Sequence, residues 1–417
     1  MAPAFYADLH VHSRFSLAVS PSLNLSVLAE WATVKGVRLL GTGDFLHPGW
    51  RAELAAELEE VDEGIYRRRG DSGQARFLLS AEVVLRFVRD GRPRRIHGVV
   101  LAPSLAGAAR IAGLAGRWGE LARDGRPTLA VEPAEFVFAL GEAMPDALLI
   151  PAHIWTPHFG LLGFAAGFSS VAECFGPATP FILALETGLS ADPAMCARVA
   201  SLSRFTLLSF SDAHSGPAIG REATRFTGAG SYPAIARAIR SGGGVDTAEF
   251  FPEEGKYYLD GHRRCRVALT PEQTRARGGR CPVCGRALRR GVAHRVEELA
   301  VDGLAAARAF RYLVPLAQII AGMAGRRPAC RSVQRRSREL GMAFGGELPL
   351  LLDVPLSDIA AADGELAGRI GRMRRGEVER TPGYDGVPGS VSLAPGPVSS
   401  RHRAERSAPV DKGEHLR

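Results

Sequence analysis

Asp8-Leu9-His10-Val11-His12 and Ser211-Asp212-Ala213-His214-Ser215 decide how this chain reads. An apolar run leads into each: Phe5-Tyr6-Ala7 into the first, Phe205-Thr206-Leu207-Leu208 into the second. Each therefore reads as a strand that ends in ligands. Side chains alternate along a strand, so the two imidazoles of His-x-His point the same way and can share one metal. Carboxylates and imidazoles together suit Zn²⁺, Mn²⁺ or Fe²⁺.

More ligand-type residues lie between these ends. Val37 to Gly43 runs into Asp44, with His47 three residues on; Phe77 to Ala81 runs into Glu82; Ala147 to Ala152 runs into His153; Phe181 to Leu185 runs into Glu186. His97 sits inside the apolar run 95–101. The intervening stretches Leu25–Lys35, Arg51–Arg69, Leu105–Arg123, Pro133–Glu142, Pro193–Ser203 and Tyr232–Arg240 carry helical spacing. Strand–helix alternation predicts an α/β fold with a parallel sheet, and seven units in 250 residues predict a (β/α)7 barrel whose strand ends converge on one mouth. No Gly-rich dinucleotide fingerprint follows the first strand, which disfavours an open doubly wound sheet.

The order His-x-His, Gly-Asp, Glu, His, His, Asp-x-His resembles the PHP (polymerase and histidinol phosphatase) superfamily of metal-dependent phosphoesterases. Longer strings narrow the likeness: Gly41-Thr42-Gly43-Asp44-Phe45-Leu46-His47-Pro48-Gly49-Trp50, Pro151-Ala152-His153-Ile154-Trp155-Thr156-Pro157, and Ala184-Leu185-Glu186-Thr187-Gly188-Leu189-Ser190. These resemble endonuclease Q, a family that nicks DNA 5′ to deaminated bases (uracil, hypoxanthine, xanthine) and abasic sites.

The resemblance implies a PHP-type distorted barrel over 1–250, a zinc-binding module over 256–296, and a C-terminal helical DNA-binding region over 297–386. A disordered tail is expected over 387–417, where Pro, Ser, Gly and Arg dominate. It also implies metal-assisted phosphodiester hydrolysis with two or three divalent metals (Zn, Mn or Mg). His10, His12, Glu82 and Asp212 would hold one; Glu82 would bridge to a second on His97 and His153; His214 with Asp44 or His47 would hold a third. Asp212, Glu82 and His153 are the expected catalytic residues. Loss of Asp212 is expected to abolish cleavage while sparing DNA binding. A phosphatase acting on a small phosphate monoester is the alternative.

His262-x-x-Cys265 and Cys281-Pro282-Val283-Cys284-Gly285 form two metal-binding turns. Four ligands rich in sulfur favour a closed structural Zn²⁺ site. His294 competes with His262 as its fourth ligand. Cys174 and Cys196 read as small core residues, and the cysteine usage fits a reducing cytoplasm. The departures from the family pattern, Leu17, Pro21, His158, the loop Gly163 to Gly167 and Pro388, touch no expected metal ligand.

The chain carries a net charge of +8. Residues 1–250 hold 23 Lys/Arg against 25 Asp/Glu, and residues 251–417 hold 29 against 19. An acidic pocket beside a basic half suits a protein that grips a phosphate backbone. Arg221, Arg327, Arg331, Arg335 and Arg338 are the expected DNA contacts; on one helix Arg327, Arg331 and Arg338 would share a face. Trp155, Phe159 and Phe168 are candidate stacking surfaces. DNA is the expected partner, with a sliding clamp a further candidate. No apolar run reaches the ~20 residues that span a membrane; Leu304 to Ala324, broken by Arg308 and Arg311, reads as a buried helix.

Overall fold

The computed structural model describes residues 4–228, 230–301 and 306–393. The chain begins with β1 (Ala4–Asp8), α1 (Leu25–Lys35), β2 (Val37–Gly41) and α2 (Pro48–Glu57). α1 starts where the Asn24 side chain accepts from Val27 N–H, and stops at Gly36, whose φ of 71° lets the chain leave in the left-handed conformation. After α2 the expected helix does not continue to Arg69. The chain forms a hairpin of β3 (Leu58–Asp62) and β4 (Ile65–Arg68), turning at Gly64 with φ 68°.

A long hairpin follows, β5 (Arg76–Arg89) and β6 (Arg92–Ala102), turning at Asp90-Gly91, both with positive φ. Asp-Gly is a strong two-residue hairpin signal. It places Glu82 in the middle of a strand, not at its end. Then come α3 (Leu105–Ala115), β7 (Thr128–Leu129), α4 (Pro133–Ala143), β8 (Leu148–Pro151), α5 (Val171–Phe175), β9 (Ala184–Glu186), α6 (Pro193–Ala197), β10 (Thr206–Leu208), β11 (Ala223–Thr227), α7 (Tyr232–Ser241) and β12 (Val245–Glu249).

The result is a mixed α/β fold. β1–β2, β2–β5 and β9–β10 pair parallel, but β1–β11, β5–β6, β6–β8 and β11–β12 are antiparallel, which corrects the all-parallel expectation. Short hairpin connections impose antiparallel pairing, whereas parallel pairs need a crossover. Among the described residues the β9–β10 pair has no ladder to the large sheet. It is tied to its neighbours by Ile154 N–H to the Glu186 carbonyl (3.0 Å) and Ser209 N–H to Thr224 Oγ1 (3.0 Å). Ala7, Leu39, Leu78, Val99, Ile150 and Leu208, from six strands, pack in one inner cluster.

β13 (Asp260–His262) and β14 (Val267–Leu269) open the downstream part, followed by α8 (Pro271–Ala276) and α9 (Val292–Leu299). β15 (Phe310–Tyr312) then adds to the large sheet, parallel to β12. This corrects the reading of 304–324 as one helix: within it a strand precedes α10 (Leu316–Ala324), and residues 302–305 lie outside the described ones. α11 (Arg331–Ala343), α12 (Glu347–Leu352) and α14 (Gly364–Arg374) pack on α1 or α10, and α13 (Leu356–Ala362) packs on α14, all sharing a core with the first 250 residues. A buried Lys35–Glu347 ion pair (2.6 Å) joins α1 to α12. β16 (Glu379–Thr381) pairs with β17 (Ser390–Ser392), so the ordered chain runs past the expected boundary at 387. The remainder of the expected tail, 394–417, lies outside the described residues. Among the described residues no helix is long and apolar enough to cross a membrane.

Candidate metal centre

His10, His12, Glu82 and Asp212 each offer one ligand atom within 4.8 Å of the others. Glu82, His97 and His153 form a second such group. Glu82 belongs to both through different oxygens. Its Oε2 lies 3.4 Å from His10 Nε2 and 3.2 Å from His12 Nε2, while its Oε1 lies 2.5 Å from His97 Nδ1 and 3.3 Å from His153 Nε2. His12 Nε2 also lies 3.1 Å from Asp212 Oδ1.

A layer of acceptors aims the imidazoles. His10 Nδ1–H donates to Glu186 (2.9 Å), and His12 Nδ1–H donates to Asp44 (3.1 Å). This fixes both tautomers so that each Nε2 faces Glu82 and Asp212, the carboxylate–histidine arrangement common around metals. Asp44 is itself held by Ser13 N–H (2.6 Å) and Ser13 Oγ (2.7 Å). Glu186 also accepts from His153 N–H (2.8 Å). Asp44, His153 and Asp212 all have positive φ, the strained backbone that recurs at functional sites. Gly188 permits the turn at His153, because a Cβ there would lie 2.5 Å from His153 Cβ.

The donor set fits metal ions. His10 Nε2 is buried without a hydrogen-bond partner. Burial disfavours the imidazolium form, yet Glu186, Glu82 and Asp212 outweigh it at His10, and Asp212, Asp44 and Glu82 outweigh it at His12, so both are pushed above the usual imidazole range. Burial likewise works against ionised Glu82, but His97 and His10 hold it well below its usual range. The protons balancing these carboxylates are those that metal binding would displace.

The expected third group does not converge. His47 caps α2: its Nδ1 accepts from Gly49 N–H (3.2 Å) and Trp50 N–H, and its Nε2–H donates to the Ala122 carbonyl (2.9 Å). Both ring nitrogens thereby meet backbone groups, and His47 caps α2. Asp44 orients His12. His214 Nδ1–H donates to the Asp212 carbonyl (2.8 Å), leaving its ring at the rim, 4.6 Å from that of His12.

Asp212 of the first group and His97 and His153 of the second line a cavity of about 540 Å³. His97, Arg126, His153, Asp212 and His214 line one wall. Phe250, Lys256, Tyr257, Tyr258, Val292 and Pro388 line another, so the downstream chain completes it. Of the aromatic candidates, Phe159 lines the cavity and stacks on His97 at 4.6 Å, whereas Trp155 and Phe168 are buried in the core. Sequence reasoning passed over Arg126, and it placed Glu186 at a strand end without a role. The Leu185-Glu186 strand end was the available signal; Arg126, in a loop, gave none.

His262, Cys265, Cys281 and Cys284 form a separate group within 4.8 Å. Gly285 N–H donates to the Cys281 carbonyl (2.9 Å) and Cys281 N–H to the Arg286 carbonyl (2.8 Å), closing a tight knuckle. Burial opposes the Cys281 thiolate, but N–H groups of Cys284 and Val283 draw that thiol down to about 7. His294 stands apart, its Nδ1–H on the buried Asp260 (2.5 Å), which removes it as the rival ligand. Cys174 and Cys196 are buried core thiols.

The arginines divide. Arg221 donates to the carbonyls of Ser211 (2.8 Å) and Asp212 (3.3 Å), bracing the Asp212 turn from within the cavity wall. Arg338 pairs with Glu30 and lies over the Trp31 ring, and Arg335 pairs with Glu339 at 3.7 Å. α11 begins at Arg331, so Arg327 precedes it and the expected shared face does not form. The densest charge lies instead in residues 256–296, with eleven Lys/Arg against two Asp/Glu.

Comparison with known proteins places this geometry. A family model described as the MJ0043 C-terminal domain matches residues 315–377. YqxK, an uncharacterized protein of Bacillus subtilis, is 29% identical over 413 residues, covering 93% of this chain and 98% of that protein. The uncharacterized protein MJ0043 of Methanocaldococcus jannaschii is 29% identical over 240 residues, 55% of this chain, and the match spans only 30% of that longer protein. The crystal structure of the lesion-specific endonuclease PfuEndoQ from Pyrococcus furiosus matches with a TM-score of 0.83 at 30% identity, covering 93% of this chain and 95% of that one. Endonuclease Q in complex with a 27-mer duplex, with an abasic lesion at the active site, matches with a TM-score of 0.82 at 30% identity, covering 94% and 97%.

Proposed function

The chain belongs to the endonuclease Q family, and from that premise we propose that it is a metal-dependent DNA-repair endonuclease, hydrolysing the phosphodiester 5′ to a damaged nucleotide. The observation that carries this reading is Glu82, whose two oxygens face two separate ligand groups, of which His97, His153 and Asp212 line one cavity.

His10, His12, Glu82 and Asp212 would hold one divalent ion, and Glu82, His97 and His153 a second. Ions held there would supply an activated water and neutralise charge on the phosphate and the departing 3′ oxygen. Glu186 and Asp44 keep the imidazoles aimed, and Arg221 fixes the strained turn that presents Asp212. The cavity has room for an extruded nucleotide, and extrusion costs least at abasic or mispaired positions. Abasic sites, uracil, hypoxanthine and xanthine are the substrates this reading names. The inner cluster of side chains supports a distorted seven-stranded barrel over 1–250 as the frame. Residues 256–296 form a module on structural zinc, and 297–386 a helical buttress. A sliding clamp remains a candidate recruiter.

Hydrolysis of a small phosphate monoester is less supported, because the cavity is walled by downstream residues that a bare phosphatase domain lacks. The test is a nicking assay on labelled duplexes carrying one uracil, hypoxanthine, abasic site or normal base, with Mg²⁺ or Mn²⁺ and with chelator. A nick 5′ of the altered base that chelator suppresses is expected, with cleavage falling steeply as salt is added. Turnover of a phosphate monoester at a salt-independent rate, without any nick, would overturn it.

A further inference from the structure

Arg126 lies in a loop that the surrounding backbone pins. Ala130 N–H donates to the Trp118 carbonyl (2.9 Å), and Val84 N–H to the Pro127 carbonyl (3.0 Å). The Asp124 carboxylate accepts from Leu17 N–H (3.1 Å) and Arg126 N–H (3.2 Å). Gly125 N–H donates to the Phe15 carbonyl (2.9 Å), and a Cβ at Gly125 would lie 2.4 Å from Asp44 Cγ. Only glycine passes that close, so the loop is laid against the residue that orients His12 and delivers the next side chain to the metal centre.

The Arg126 guanidinium touches Glu82 Oε2 through Nη1 at 3.3 Å, and its remaining donors have no partner among the described residues. It is a quarter exposed and lines the cavity with Asp212 and His214. Glu82 does not need this cation, since four imidazoles already face it. Divalent ions held on Glu82 would repel the Arg126 charge at this range, and an anion joining the site would offset that repulsion. A phosphodiester is such an anion, and a guanidinium fork matches its two non-bridging oxygens.

We propose that Arg126 is a catalytic residue that grips a non-bridging oxygen of the scissile phosphodiester with its free donors while Nη1 rests on Glu82. This rests on the endonuclease reading above. Arginine stays protonated throughout, so it orients the phosphorus and balances growing charge without exchanging a proton.

The test compares wild type, Arg126→Ala and Arg126→Lys on a duplex with one tetrahydrofuran abasic analogue. In single-turnover cleavage with Mn²⁺, Arg126→Ala loses about 10²-fold, the scale of losing one donor to a developing oxyanion, and Arg126→Lys recovers part. Binding is then measured with Ca²⁺ to duplexes whose linkage 5′ of the lesion is a phosphate or an uncharged methylphosphonate. Wild type should lose about tenfold or more on methylphosphonate substitution, and Arg126→Ala should lose markedly less, keeping only the part owed to the ions. A purely structural arginine would leave that ratio unchanged in the variant, which overturns the proposal, as does wild-type cleavage by Arg126→Ala. Failure of wild type to nick any lesion duplex overturns the endonuclease reading and this proposal together.

Discussion

Two ligand clusters stand in this chain, and they are built in opposite ways. The centre around Glu82 sits on strands and strand ends, mixes oxygen with nitrogen, and is almost entirely buried. Its ligands are held by Glu186, Asp44 and strained backbone before any ion is considered. The centre at His262, Cys265, Cys281 and Cys284 sits on tight turns, is mostly sulfur, and is partly exposed. A catalytic site must be preorganised, so the fold bears its strain and its buried charge. In a small module with little core, a bound ion would supply much of the folding energy.

Substitutions should separate the two, in descending order of effect. Glu82→Gln removes the shared ligand of both barrel groups, and single-turnover cleavage should fall by about 10³-fold or more, a size typical of disabling electrostatic catalysis. Cys284→Ser should release the module's zinc and expose residues 256–296 to limited proteolysis, with the barrel's metal content unchanged. Loss of the barrel ions as well would show that the two centres are one folding unit. Glu186→Gln touches no proposed ion directly. It should weaken barrel metal affinity by about 10–100-fold, read by metal titration, through loss of His10 orientation.

The smallest effect is one of pH. Burial raises the Glu249 carboxyl to about 8, and burial with Glu249 nearby raises Glu222 well above its usual range. A carboxyl whose pKa is higher folded than unfolded favours the native state at low pH. That contribution is fully present below the unfolded value and fades as pH rises through the folded one. Thermal stability of the metal-loaded protein should therefore decline from about pH 4.5 to about pH 8. Glu249→Gln should flatten that slope; an unchanged slope would place its origin elsewhere.

The two regions also differed in how far they could be read from sequence. The two cysteine turns are local, so Cys-Pro-x-Cys and His-x-x-Cys named three cysteines and a histidine that the fold does place within reach. In the first 250 residues, His10, His12, Glu82, His97, His153 and Asp212, which the fold brings within reach of one another, could be singled out because apolar strand-like runs lead into or carry them. Pairing direction was not, because the Asp90-Gly91 turn that makes β5–β6 antiparallel went unread. His47 matched the ligand pattern but spends both nitrogens on backbone, a fact of three-dimensional packing. Arg126 and Glu186 act through residues remote in sequence, at Glu82 and His10. The Arg-rich helix drew the eye by density, yet its arginines at 335, 336 and 338 meet carboxylates of Glu339, Asp363 and Glu30.

The most direct test sets the two centres side by side: single-turnover nicking of an abasic duplex at saturating enzyme by Asp212→Ala and Cys284→Ser, with zinc content measured on the same samples. Asp212→Ala is expected to keep the zinc of residues 256–296 and to bind DNA but make no nick, whereas Cys284→Ser is expected to lose one zinc and cut more slowly, because residues 256–296 wall the cavity. A nick by Asp212→Ala, or complete loss of chemistry in Cys284→Ser with its barrel ions in place, would contradict this reading.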